Sequence, residues 1–248
     1  MTLGLVSAMP EELAAVLALL PDEQRIVVGG RTFWRGHLQG HTVVAVLCGI
    51  GKVAAATTTT LLAQHFGASA VVMTGVAGGL GRGVKVGDVV VARELLQHDM
   101  DASPIFDRHV VPGHGRSRFA ADAAWSERLA KACAATLRDP VAALGVEVVQ
   151  AFGLHAPALH EGLLISGDRF VSRTAESRAL QVELPDALAV DMESAAVAQV
   201  CADFGLPFAV VRTISDRADD AAHVDFPRFL TQVASRYSAA VVAQLLRH

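Results

Sequence analysis

The sequence predicts an α/β fold: a single domain over residues 1–248, with a central mixed, mainly parallel β-sheet flanked by helices on both faces. Short β-branched apolar runs alternate along the chain with longer Ala- and Leu-rich segments at helical spacing. That is the pattern of strands joined by crossover helices. Of 248 residues, 52% are apolar and 19% charged, enough to bury a sizeable core. No repeat, low-complexity stretch or Pro/Ser linker divides the chain.

Residues 2–8 read as a buried strand. Pro10, Glu11 and Glu12 open the first helix, because proline suits a first turn and acids face the positive end of the helix dipole. Residues 43–47 form the next strand, and Gly49-Ile50-Gly51 turns it into a helix over 52–66. The strand 70–74 ends in a small-residue loop, Gly75 to Gly79, and a strand over 89–92 follows Gly87-Asp88. The stretch 99–118, rich in Pro, Gly, His and Asp, reads as a long functional loop. A helix covers 121–137. Residues 146–152 and 162–166 read as strands, 174–183 as a helix, and 187–190 as a short strand running straight into a helix over 193–204. Gly205-Leu206-Pro207 stops that helix. Residues 208–212 form a strand, and 226–246 the C-terminal helix.

In an open α/β sheet, ligands bind beyond the carboxyl ends of the strands. That rule gathers Met9 and Glu12, the Gly75–Gly79 loop, Asp168 to Phe170, Asp191 to Glu193, and Ser215 with Asp216 along one edge. Each acid also has a plainer reading. Glu12 and Glu193 suit a first helical turn, Asp168 a turn, and Asp216 a loop cap. Arg212 is harder to explain away, since a guanidinium leaving an apolar strand needs a carboxylate. Glu193 or Asp191 would serve.

Several function classes are excluded. Lys and Arg total 21 against 25 Asp and Glu, and aromatics are 5%. Neither a phosphate-backbone binder nor a base-stacking platform fits those numbers. The three cysteines (Cys48, Cys133, Cys201) form no CxxC pair and read as buried thiols in a reducing cytoplasm. Glu11 and Glu12 interrupt the N-terminal apolar run, so a signal peptide is not expected, and no apolar stretch is long enough to span a membrane. Gly49-Ile50-Gly51-Lys52-Val53-Ala54 matches a dinucleotide fingerprint. The acid expected about 20 residues on is missing, which argues against a nicotinamide cofactor. Val46 and Val53 spoil a Walker loop. There is no HExxH and no GxSxG, and His98, His109, His114 and His223 read as solvated loop histidines. No metal and no cofactor is expected.

Seven motifs then occur in order: Ala8-Met9-Pro10-Glu11-Glu12, Gly49-Ile50-Gly51-Lys52-Val53-Ala54-Ala55, Thr74-Gly75-Val76-Ala77-Gly78-Gly79, Lys85-Val86-Gly87-Asp88, Ser166-Gly167-Asp168, Val190-Asp191-Met192-Glu193 and Arg212-Thr213-Ile214-Ser215-Asp216. Together they resemble the 5′-methylthioadenosine/S-adenosylhomocysteine nucleosidases of the purine nucleoside phosphorylase superfamily, over nearly the whole chain. The resemblance implies hydrolysis of the N-glycosidic bond of a 5′-substituted adenosine. By the same resemblance Asp216 is the general acid at adenine N7, and Glu12 the base that activates water. Glu193 would bind the ribose hydroxyls, with Met192 against the sugar and Arg212 orienting Glu193. Phe170 and Val171 would form the adenine pocket, and Ser215 would hold Asp216. Val76, Ala77 and Gly78 would line the water and sugar side, and Met9, Ile50 and Phe226 would close the pocket. A homodimer is implied, in which Ala102, Ile105, Phe106 and Pro112 of one subunit complete the 5′-group pocket of the other. The 102–112 loop departs from the commonest family pattern, and so does Val76, where serine is frequent. Three alternatives stay open: a phosphate-dependent nucleoside phosphorylase, a futalosine-type hydrolase, and a non-catalytic nucleoside-binding protein.

Overall fold

The computed structural model describes residues 1–219 and 226–247. Its strands are β1 (Thr2–Ser7), β2 (Gln24–Val28), β3 (Arg31–Leu38), β4 (His41–Leu47), β5 (Ala70–Gly79), β6 (Val89–Gln97), β7 (Arg118–Ala120), β8 (Leu159–Ser166), β9 (Ala187–Asp191) and β10 (Phe208–Asp216). The helices are α1 (Pro10–Leu17), α2 (Lys52–Gln64), α3 (Ala123–Leu137), α4 (Pro140–Leu144), α5 (Val146–Phe152), α6 (Thr174–Glu183), α7 (Ser194–Phe204), α8 (Phe226–Phe229) and α9 (Ser235–Leu245), with a π-helical stretch, Leu230–Ala234, between the last two.

The strands form one mixed sheet. Parallel ladders join β4, β1, β5 and β10, and separately β6, β8 and β9. Antiparallel ladders add the β2–β3–β4 meander and link β10 to β6 and β5 to β9. Because β5 pairs with both β10 and β9, the strands β5, β10, β6, β8 and β9 close on themselves. The sheet is therefore not open throughout, as the ligand rule assumed. Closure turns the carboxyl end of β9 onto the middle of the site, setting Val190 opposite Gly78.

Strand side chains alternate between two cores, as a pleated strand requires. Val43 and Ala45 face one, and Val44 and Val46 the other. Leu3 and Leu5 likewise oppose Val6, and Val89 and Val91 oppose Val90 and Ala92. The first core is covered by α1, α3, α5 and the C-terminal helices, and the second by α2 and α7. Burial on both faces is what removes polar alternation from these strands.

Four expectations need correction. Residues 146–152 form helix α5, not a strand. Val148 and Val149 are buried, Phe152 packs edge-on against Phe229, and Val146 is exposed, which is a helical face. Glycines at both ends, Gly145 and Gly153, punctuate it at positive φ. Gly75 to Gly79 is not a loop but the end of β5: Gly75 to Gly78 pair with Arg212 to Asp216 of a likewise longer β10, with a register shift at Ser215, and Gly79 pairs with Ala189 of β9. Arg212 thus lies within its strand rather than at its end. The hairpin β2–β3 went unread, because its exposed edge carries Arg25 and Val27 with little apolar patterning. Finally, three of the loop histidines are not solvated: His114 pairs with Asp203 at 2.9 Å, His109 lies 3.3 Å from Glu183, and His98 has a buried Nε2. His223 lies outside the described residues.

Candidate active site

The site is built on the β1–α1 junction. Pro10 opens α1, and Glu12 Oε2 accepts a hydrogen bond from the Met9 backbone N–H at 3.2 Å. That bond caps the helix, so the plain reading of Glu12 is correct but incomplete. The carboxylate is fully buried, and its Oε1 has no hydrogen-bond partner among the described residues. An unmade bond on a buried carboxylate is costly. Burial pushes the Glu12 carboxyl up to about 7, against the opposing pull of Arg212.

Arg212 rises from β10 beneath it and is 1% exposed. Its Nε and Nη2 grip Asp191 at 2.8 and 2.7 Å, and Nη2 lies 3.4 Å from Glu193 Oε2. Asp191 is the main partner, so the choice left open by the sequence falls to the strand-end acid. Glu193 Oε1 accepts the Gly51 N–H at 3.0 Å. Gly51 has φ of 98°, a conformation that favours glycine. The Gly49-Ile50-Gly51 turn thus does more than pack a strand on a helix: it aims a backbone donor at Glu193. Burial first, and Asp191 second, push the Glu193 carboxyl up to about 7.

Asp216 closes the other end. Its Oδ2 accepts the Ser215 hydroxyl at 2.7 Å, and Oδ1 accepts the Ala218 N–H at 2.7 Å. Burial raises its carboxyl above the usual range, with those two bonds opposing. Gly78 makes room for it, since a Cβ there would sit 2.9 Å from the Ala218 Cβ and 3.1 Å from Asp216 Oδ1. At Gly75 a Cβ would overlap the Arg212 guanidinium and lie 3.2 Å from Glu12 Oε1. Glu12 therefore sits over Gly75 and Asp216 over Gly78. Three residues of strand separate them, roughly 10 Å.

A cavity of about 540 Å³ opens between the two acids. Glu12, Asp191, Glu193, Arg212, Ser215, Asp216 and Arg169 supply its polar groups. Val76, Ala77 and Gly78 of β5 line one wall, with Met192 above them. Met9, Val76 and Phe226 pack on a common core. Val171 is buried, whereas Ile50 and Phe170 are about half exposed at the rim. Phe170 meets Phe226 edge-on with centroids 6.3 Å apart. Ala102, Ile105, Phe106 and Pro112 do not reach this cavity within their own chain.

Ala8, Arg169, Val190, Asp191 and Pro227 also line the cavity. Arg169 and Asp191 lie on the sheet edge that the ligand rule picked out but had been given no ligand-binding role; Ala8 and Val190 fall within the family motifs, and Pro227 follows Phe226. Asp168 stays outside the cavity, where its Oδ1 accepts the Lys52 N–H at 2.7 Å and so caps α2. Among the described residues no three His, Cys, Asp or Glu side chains are grouped to hold a metal, and no helix is long and apolar enough to cross a membrane.

The phosphorylase superfamily model matches residues 2–247. A 5′-methylthioadenosine/S-adenosylhomocysteine nucleosidase of Actinobacillus succinogenes is 35% identical, covering 99% of this chain and 98% of its own. The chain belongs to that nucleosidase family, within the phosphorylase superfamily. Among solved structures, the Neisseria meningitidis nucleosidase in complex with methylthio-immucillin-A superposes with a TM-score of 0.86 at 34% identity, covering 99% of this chain and 98% of that one. The Helicobacter pylori futalosine hydrolase matches with a TM-score of 0.84 at 32% identity, covering 100% and 97%. The family scaffold thus carries more than one nucleoside substrate, and the site residues have to discriminate between them.

Proposed function

We propose that this protein hydrolyses the N-glycosidic bond of 5′-methylthioadenosine and S-adenosylhomocysteine, releasing adenine and the 5′-substituted ribose. The observation that carries the reading is the pair of buried acids, Glu12 and Asp216, opening on one cavity roughly 10 Å apart along β5. Breaking the bond puts positive charge on the sugar and negative charge on the leaving base. Asp216, with its proton affinity raised by burial, donates a proton to N7 and makes adenine a neutral leaving group. Glu12 Oε1 takes a proton from water as the water oxygen bonds to C1′. Glu193 accepts the ribose hydroxyls, and its charge stabilises the cationic sugar. The Val171 backbone reads the base edge, and Phe170 covers its face.

Water rather than phosphate is the nucleophile in this reading. Lys52, Arg82 and Lys85 do not line the cavity, Arg212 is already held by carboxylates, and Arg169, largely exposed, is paired with Glu176. A phosphate dianion beside Glu12 and Glu193 would be repelled. The same two acids disfavour a binding protein without activity, which needs neither a base nor an acid.

The active form in this proposal is a homodimer in the cytoplasm. Ile105 is 81% exposed and Phe106 42%, on a loop that does not serve its own cavity. Ala102, Ile105, Phe106 and Pro112 then complete the apolar 5′-pocket of the other subunit. Cys48, Cys133 and Cys201 are all unpaired and buried, which suits a reducing compartment.

The test is a panel of 5′-substituted adenosines and inosines, with and without phosphate, followed by release of the free base. Adenine from 5′-methylthioadenosine in phosphate-free buffer is the expected result. Release that stops without phosphate would overturn the hydrolase, and preference for a hypoxanthine nucleoside would favour the futalosine-type reading.

A further inference from the structure

We propose that Asp191 is a positioning residue for this site: it clamps one edge of the Arg212 guanidinium and takes up its charge, so that Glu12 remains free to accept a proton and Glu193 to accept the ribose hydroxyls. Asp191 is 6% exposed and saturated with donors. Its Oδ1 accepts the Ser166 hydroxyl at 2.5 Å and the N–H groups of Glu193 and Ser194 at 3.2 Å each. Its Oδ2 accepts Arg212 Nε and Nη2 and the Ser194 hydroxyl. The Ser166 oxygen is itself fixed by the Ala195 N–H at 2.9 Å. No lone pair remains for a ligand, so Asp191 acts through Arg212 although it lines the cavity.

The clamp decides where the guanidinium points. With Nε and Nη2 held by Asp191 and Ser194, the third nitrogen, Nη1, turns to Gly75 and the Thr74 carbonyl at 3.4 Å, the side on which Glu12 Oε1 lies. Three carboxylates surround one cation. Asp191 makes the short ion pair with it, and Glu193 only a 3.4 Å contact. The other titratable group facing Glu12 and Glu193 is the Cys48 thiol after β4, which burial pushes up to about 12 and so keeps neutral. Burial lowers the His98 imidazole, after β6, with Asp99 and, more weakly, Asp191 opposing it. With Asp191 neutralised, Arg212 would swing its charge onto Glu193 and Glu12.

The inference rests on the nucleosidase reading, and its test separates the two. The pH profile of kcat/KM for 5′-methylthioadenosine is measured for the wild type, Asp191→Asn and Asp191→Glu, each with its melting temperature. Wild-type turnover establishes the activity independently of Asp191. Asp191→Asn is expected to lower kcat at least about tenfold and to move the acidic limb about one pH unit downward, because an opposite charge on a carboxyl favours its ionised form. Asp191→Glu should return the limb toward the wild-type position. A limb unmoved in Asp191→Asn, whatever its rate, overturns the proposal, because a purely structural role lowers stability without shifting it. Should Asp191→Asn not fold, Ser166→Ala loosens the clamp while leaving the charge. It should lower kcat severalfold with KM little changed, and wild-type kcat would count against the clamp. Were the wild type inactive on every nucleoside, infrared titration of buried carboxyls in wild type and Asp191→Asn would still read the charge competition. Identical titrations would overturn it.

Discussion

Asp216 and Glu12 are both buried carboxyls on one cavity, yet their surroundings set them different tasks. Asp216 has a hydroxyl and a backbone N–H on its oxygens, and burial outweighs their pull so that it can hold a proton. Glu12 has one oxygen on the Met9 N–H and the other facing the cavity. Asp216→Asn should cut turnover roughly 10²–10⁴-fold while the protein still folds cooperatively, measured by adenine release and thermal unfolding. Near-normal turnover would remove Asp216 from the mechanism. Glu12→Gln keeps an acceptor for Met9 but cannot take a proton, so turnover should vanish while an adenosine analogue still binds. Stability should move the opposite way. The Glu12 carboxyl lies at 4.5 in the unfolded chain and about 7 in the fold. The folded state therefore holds a proton that the unfolded state has already released, and stability falls as pH rises from 4.5 to 7. Glu12→Gln escapes this loss, so its melting temperature should exceed that of the wild type at pH 8 by more than at pH 5. An equal difference at both values would contradict the burial argument.

At the scale of elements, the acids are placed by strand and helix ends that borrow caps from elsewhere. α2 has no cap of its own: Gly51 precedes it, and Asp168 reaches across from the β8 end to accept the Lys52 N–H. Glu193 holds Gly51 one residue earlier. The N-terminus of α2 is therefore pinned at two points, one outside the cavity and one within it. Asp168→Ala should cost about 1 kcal/mol of stability, the usual worth of a helix cap, read from denaturant unfolding. It should also raise KM more than it lowers kcat, since the orientation of Glu193 depends on where Gly51 sits. The pairing of β5 with β10 is the second device. It keeps Gly75 beside Arg212 and Gly78 beside Asp216, and so fixes the spacing of the two acids.

For the whole molecule, the exposed apolar loop is the feature that a lone chain does not explain. The loop is held in shape by its own chain: Arg108 and His109 bind Glu183, and His114 binds Asp203. Its tip nonetheless presents Ile105 and Phe106 to solvent. Phe106→Asp should shift the protein toward monomer in analytical ultracentrifugation and raise KM for 5′-methylthioadenosine, with the melting behaviour of the monomer preserved. A monomeric wild type with full activity would discard the shared 5′-pocket.

Much of this protein could be read from its residues, and the part that could not has a physical cause. Helix α1, the strands around Leu3, Val44, Val72 and Val210, and the motif acids all announce themselves locally, through periodicity, a proline and small-residue turns. Those signals depend on neighbours in sequence. Helix α5 misled, because Val146, Val148 and Val149 favour a strand in isolation, while Val148 and Val149 are buried in the same core as Phe229, which Phe152 meets edge-on. The end of β5 misled as well: glycine-rich sequence reads as loop, but pairing with β10 makes it strand. Residue pattern alone sufficed for the α/β class, the family motifs and the acids worth watching. It took the folded chain to show that Asp191 takes Arg212, that Glu12 keeps an unpaired oxygen, and that the sheet closes to bring the β9 end onto Gly78. Those outcomes depend on distances between segments far apart in the chain, which no local pattern encodes.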